Sequence, residues 1–270
     1  ATMRYITYPG GSSHDSGTVG LVALSLIDYL RVREDAKLRQ FLNEILPFLV
    51  TQHSTLSDDR FQAWNELRQF LPLVEKTEGF FRSRFDSHGV RKGGPSPYYD
   101  GECLLAMVKA AKYVKGYEYL LPITVATAKS LHQRHVVDAL ENDEDSDSTK
   151  GFYQWSSMAF FELATTPGLD EATSALVGSW LVDLAVWMID VHETLRKSLN
   201  TGYAYEGIVH AWAWLSHIAT TDADKELARH LQCTIEQGLS RLVSWQVGMG
   251  KVEKEDPKWD GKRGLGGVQN

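Results

Sequence analysis

The sequence predicts an all-α protein, an α/α toroid of repeated helical hairpins carrying one small β-hairpin. Three observations predict it. Aromatic residues beside a carboxylate or amide recur every 52 residues, at Glu102, Gln154 and Glu206. A sustained period of this length marks repeat architectures, where each unit buries its apolar face on the next. The helical segments also come in pairs, one apolar nearly all round and one amphipathic, as inner and outer layers require. Finally, 43% hydrophobic residues in a chain of 270 can supply a substantial core, so one domain over 1–270 is expected.

In chain order, Arg4–Tyr8 reads as a short strand stopped by Pro9-Gly10-Gly11. A helix follows from about Val19 to Arg33, with Ser16 as N-cap and Leu21, Leu24, Ile27 and Leu30 on one face. A second helix spans Ala36–Thr51, with Leu38, Phe41, Ile45 and Phe48 on its apolar side. Residues 57–71 hold a weaker helix, and residues 79–91 alternate as in a β-hairpin. Further inner helices start near 101, 153 and 205, each followed by a partner starting near 117, 170 and 222. Four hairpins result, and Gly264–Val268 reads as the entrance to a fifth.

In a ring of this kind the inner helices run one way, so their N-termini share one mouth. That would gather His14, Asp15, Tyr98, Tyr99, Asp100, Glu102, Tyr153, Gln154, Trp155, Tyr203, Tyr205 and Glu206. A plainer account exists for the acids: Asp100 as an N-cap, Glu102 and Glu206 as first-turn residues suited to the helix dipole. Capping does not require the six flanking rings, however. Flat amphipathic rings beside carboxylates and amides suit a sugar, which presents apolar faces and hydroxyls together.

The hairpin repeat, with motifs such as Tyr98-Tyr99-Asp100-Gly101-Glu102, resembles the (α/α)6-toroid carbohydrate-active proteins. That group includes glycoside hydrolases, polysaccharide lyases and sugar epimerases. Six hairpins are expected there, against four and a partial fifth here. The resemblance implies an oligo- or polysaccharide substrate and, first, glycoside hydrolysis by two carboxyl groups. Asp100 and Glu206 are then the acid and base, with Glu102 as substitute and Asp15 behind it. The alternatives are a uronic-acid lyase or C5-epimerase, drawing on Tyr98, Tyr205 and His14 with Arg82, Arg84 or Arg91, or a non-catalytic glycan- or protein-binding module.

Other features carry less. The net charge of −7 comes from scattered acids and gives no nucleic-acid surface. No uninterrupted apolar run is long enough for a membrane span, and residues 1–15 are no signal peptide. A start at Ala1 rather than Met fits a trimmed chain, periplasmic or secreted if a signal peptide was removed. Cys103 and Cys233 lack metal spacing and read as buried apolar positions. Glu141–Asp147 reads as a solvated acidic loop rather than a calcium site, since the glycine of an EF-hand loop is missing. His210 and His217, like Trp180 and Trp187, read as core stripes. No cofactor or metal is expected.

Overall fold

The computed structural model describes residues 3–54, 79–197 and 201–245. Among the described residues the protein is mostly helical, with one three-stranded antiparallel sheet. The chain forms two compact units, residues 1–180 and 181–270, and the boundary falls inside one helix.

In the first unit, β1 (Ser13–Asp15) leads straight into helix α1 (Ser16–Val32), and α2 (Ala36–Thr51) follows. Asp35 caps α2 by accepting from the Lys37 and Leu38 N–H groups, which fixes the predicted start to the residue. Strands β2 (Arg84–Asp86) and β3 (Arg91–Lys92) form the expected hairpin, turning through Gly89 at φ +79°. The sheet order β1-β2-β3 pairs Asp15 with Arg84 and His14 with Phe85. Helix α3 (Pro97–Tyr113), a 3-10 turn (Glu118–Leu120) and α4 (Leu121–His132) come next. A π turn (Gln133–Val137) runs into the short α5 (Asp138–Asn142), then α6 (Asp147–Ala164) and α7 (Glu171–Asp190).

Helices α1, α3 and α6 are parallel neighbours. Near their N-termini, Gly17 and Gly20 of α1 lie against Glu102, and Gly151 of α6 lies against Pro97 and Tyr98. Near their C-termini, Lys109 of α3 pairs with Asp28 of α1 at 2.5 Å, and Lys112 pairs with Glu162 of α6 at 2.8 Å. The close approach depends on glycine: a Cβ on Gly101 would stand 2.8 Å from Trp155 Cβ. Leu42, Ile45, Phe48 and Leu49 of α2 and Leu104, Met107 and Val108 of α3 are fully buried.

The second unit holds the last turns of α7, then α8 (Thr201–Ile218) and α9 (Asp222–Ser244). Thr221 and Asp224 form a reciprocal capping box at the start of α9. Helices α8 and α9 are antiparallel, since Tyr205 near the start of α8 covers Gly238 near the end of α9.

Several expectations are corrected. Arg4–Tyr8 is not a strand: the pairing edge of β2 is taken by Ser13–Asp15, and Arg4 instead donates its N–H to Glu44 O at 2.9 Å. The N-cap of α1 is Asp15, with Ser16 already inside the helix. The repeat helices start at 97, 147 and 201, four to six residues before the expected positions. Pro97 opens α3, where a missing N–H is harmless, and the Ser146 side chain caps α6. Cys233 and His217 are exposed rather than core. The helix at 57–71 and the Gly264–Val268 segment lie outside the described residues. Helix α7 has the length and mean hydropathy, 1.5, of a membrane span, but half of that stretch is buried inside the protein.

Candidate active site at the start of helix α3

Each step along a helix turns the side chain by about 100°. The motif Tyr98–Glu102 therefore points three ways. Tyr98 and Gly101 face α6, where they meet Gly151 and Trp155. Tyr99 and Glu102 face α1, both pressed against Gly17, where a methyl group would overlap them. Asp100 points away from both, toward Phe81 and the π turn. Asp100 and Glu102, two residues apart, are thus turned about 200° from each other.

The α1 side gathers a charged cluster. Strand β1 brings Asp15 beside Tyr99 and Glu102, and the β1–β2 register sets Arg84 across from it. Arg84 Nε lies 3.6 Å from Asp15 Oδ1. Asp15 makes no capping bond to α1, which leaves its carboxylate turned to these neighbours. Glu102 is 8% exposed, and its buried Oε2 has no hydrogen-bond partner. Burial first, and then the Asp15 charge, push the Glu102 carboxyl up to about 7. Burial, followed by the Asp15 and Glu102 carboxylates, also raises the Tyr99 phenol. Such a carboxyl is divided between acid and anion near neutral pH, which suits proton transfer.

Beneath this cluster His14 is buried, accepting the Tyr8 N–H on Nδ1 at 3.1 Å. Its Nε2 is buried without a partner, so the ring packs beneath the charged cluster rather than lining it. Tyr98 is 57% exposed and Trp155 half-buried, along the α3–α6 seam. Gln154 is half-buried on α6, while Tyr153 is wholly buried and belongs to the core.

Asp100 is fully buried, so no ligand can reach it. Its Oδ1 accepts the Phe81 N–H at 2.7 Å, and Oδ2 lies 2.8 Å from His135 Nε2. Burial raises its carboxyl, against the opposing hydrogen bonds from His135 and Phe81. In the second unit Glu206 is exposed, Tyr203 half-buried, and Tyr205 only 4% exposed with its hydroxyl buried and unpartnered. The structure therefore brings Asp15, Tyr99 and Glu102 together and gives Asp100 a buried role.

Sequence reasoning ranked Asp15 last among the acids and missed His135. Asp15 carries a readable signal, as a carboxylate immediately before an apolar helix. His135 carries none, because only the π turn aims it inward. A cleft of about 890 Å³ lies between α4 and the 168–173 segment, lined by Lys129, Arg134 and Asp138 among others, but by none of the Glu102 cluster. Among the described residues no three His, Cys, Asp or Glu side chains converge to hold a metal ion. Compared with protein-family models, curated proteins and solved structures, the chain matches none.

Proposed function

We propose that the protein is a carbohydrate-active enzyme whose chemistry is centred on Glu102 and Asp15, most simply a glycoside hydrolase. The observation that carries this reading is the pair itself. One carboxyl is buried, with its Oε2 unpartnered, and held up to about 7, and the second is ion-paired to Arg84 beside it. Environments that set two neighbouring carboxyls apart are what acid and base roles require. Glu102 would protonate the glycosidic oxygen. Asp15 would act on the opposite face of the sugar ring, as base or nucleophile. Tyr98 and Trp155 supply partly exposed rings for neighbouring sugars.

The parallel row α1, α3 and α6 would form an arc of an α/α toroid, with its mouth at this end. A second reading, a lyase or C5-epimerase on uronic acids, is favoured by Arg84, whose exposed guanidinium could receive a sugar carboxylate.

The test is turnover of a panel of neutral and uronic-acid oligosaccharides by the native chain, Glu102→Gln and Asp15→Asn. Each substitution should cost about 10²–10⁴-fold in rate. Rates unchanged in both variants would sink the proposal. Binding without any turnover by the native chain would replace the enzyme with a glycan-binding module.

A further inference from the structure

Asp100, His135 and Ser148 come from three separate elements and meet outside the Glu102 cluster. Ser148 Oγ lies 3.0 Å from His135 Nδ1, and His135 Nε2 lies 2.8 Å from Asp100 Oδ2. We propose that Ser148, His135 and Asp100 form a second reactive centre, a serine nucleophile with its base and orienting acid, that hydrolyses carboxylic esters.

Three features support the assignment. The first is orientation. The π turn inserts one extra residue into the helical stretch 121–142 and carries His135 inward. The Thr149 hydroxyl holds the His135 carbonyl at 2.8 Å, and the ring packs on Phe152 at 5.0 Å between centroids. Phe81 N–H occupies Asp100 Oδ1 and leaves Oδ2 to the imidazole. The second is the gradient of access: Asp100 and His135 are buried, whereas Ser148 is half-exposed. Acyl transfer needs that order, with the acid sealed and the nucleophile reachable. The third is position. Ser148 sits in the first turn of α6, at the positive end of the helix dipole, which favours the negative charge that develops on the attacked carbonyl oxygen.

In the reaction the Ser148 oxygen attacks the ester carbonyl carbon while its proton passes to His135 Nδ1. The Nε2–H bond to Asp100 fixes the tautomer that makes Nδ1 the base. Collapse of the tetrahedral intermediate breaks the bond to the alkoxide, which takes the proton from Nδ1 and leaves as alcohol. Water then attacks the acyl-serine, again losing its proton to Nδ1. The carboxylic acid departs, and Ser148 regains its proton.

The experiment is labelling of the native chain with an aryl fluorophosphonate, read by intact mass and peptide mapping, together with hydrolysis of p-nitrophenyl acetate. One adduct on Ser148 is expected, with adduct and hydrolysis both lost in Ser148→Ala, whose thermal midpoint should stay within a few degrees. His135→Gln should slow labelling about 10²-fold or more. Asp100→Asn should slow it and shift its pH profile, as an orienting residue does and a purely structural one does not. Absence of an adduct, an adduct on another residue, or labelling that survives Ser148→Ala overturns the proposal. An unchanged pH profile in a folded Asp100→Asn overturns the role of Asp100.

Discussion

Glu102 combines a chemical and an energetic signature. In the unfolded chain its carboxyl titrates near the ordinary 4.5, and in the folded protein near 7. Folding therefore favours the protonated form, and stability is lost as pH rises through that interval. Glu102→Gln removes the penalty. It should melt about 2–5 °C above the native chain at pH 8, and at the same temperature at pH 4.5. An equal gain at both pH values would mean that charge is not the cause. Tyr205 offers a second case. Its hydroxyl is buried with no partner, so Tyr205→Phe should raise stability by about 1 kcal/mol in urea titration. A loss would reveal a hydrogen bond in solution that the fold does not show.

At the scale of elements, α3 works because its faces are specialised: one for α6, one for α1, one for the π turn. The α6 face depends on Gly101. Gly101→Ala would drive a methyl against Trp155 Cβ and the Ser156 N–H, at 2.8 and 3.4 Å, and should cost about 1–3 kcal/mol by thermal melting. A neutral result would mean that α3 and α6 can part without loss.

This level also shows what a sequence can and cannot display. The limits of α2 were readable because Asp35, the apolar stripe and the helix end all agree locally. The partner helices expected near 170 and 222 were readable for the same reason and start at 171 and 222. The one expected near 117 starts only at Leu121, after a 3-10 turn. Strand β1 was not, since its pairing partner Arg84–Asp86 lies some seventy residues away and its three residues carry no alternation. The early start of α3 has its signal in Pro97, whose fixed φ and missing N–H suit a first helical turn. That Asp100 and Glu102 face different ways follows from helical pitch alone. Which neighbour each one meets required the fold, and that decides which of them a ligand can approach.

Across the whole molecule, the groups that respond to pH oppose one another. Burial, reinforced by the Arg91 charge, lowers the His53 imidazole to about 4, and burial alone does the same to His132. Both histidines titrate near 6.5 in the unfolded chain, so folding resists their protonation. Their contribution is fully present above 6.5 and lost as pH falls toward 4. Two protons from the histidines act against one from Glu102 over the shared interval. From these three groups, stability should rise with pH by roughly 1.4 kcal/mol per unit at the steepest point. His53→Gln should flatten the rise, as read from denaturation midpoints between pH 4.5 and 6.5. A slope that does not change would place the acid sensitivity elsewhere.

The π turn at Gln133–Val137 is, in effect, a helix with one residue too many. Deleting one residue there would let 121–142 run as an unbroken α-helix, with better backbone geometry throughout. The segments on either side would keep their phase, because the bulge takes up the turn of its extra residue, but the local widening that aims the His135 imidazole at Asp100 and Ser148 would be lost. A one-residue insertion elsewhere in the same stretch, without a bulge to absorb it, would turn all that follows by about 100°. Chain length in this segment is therefore counted to the single residue, although most of its surface tolerates change.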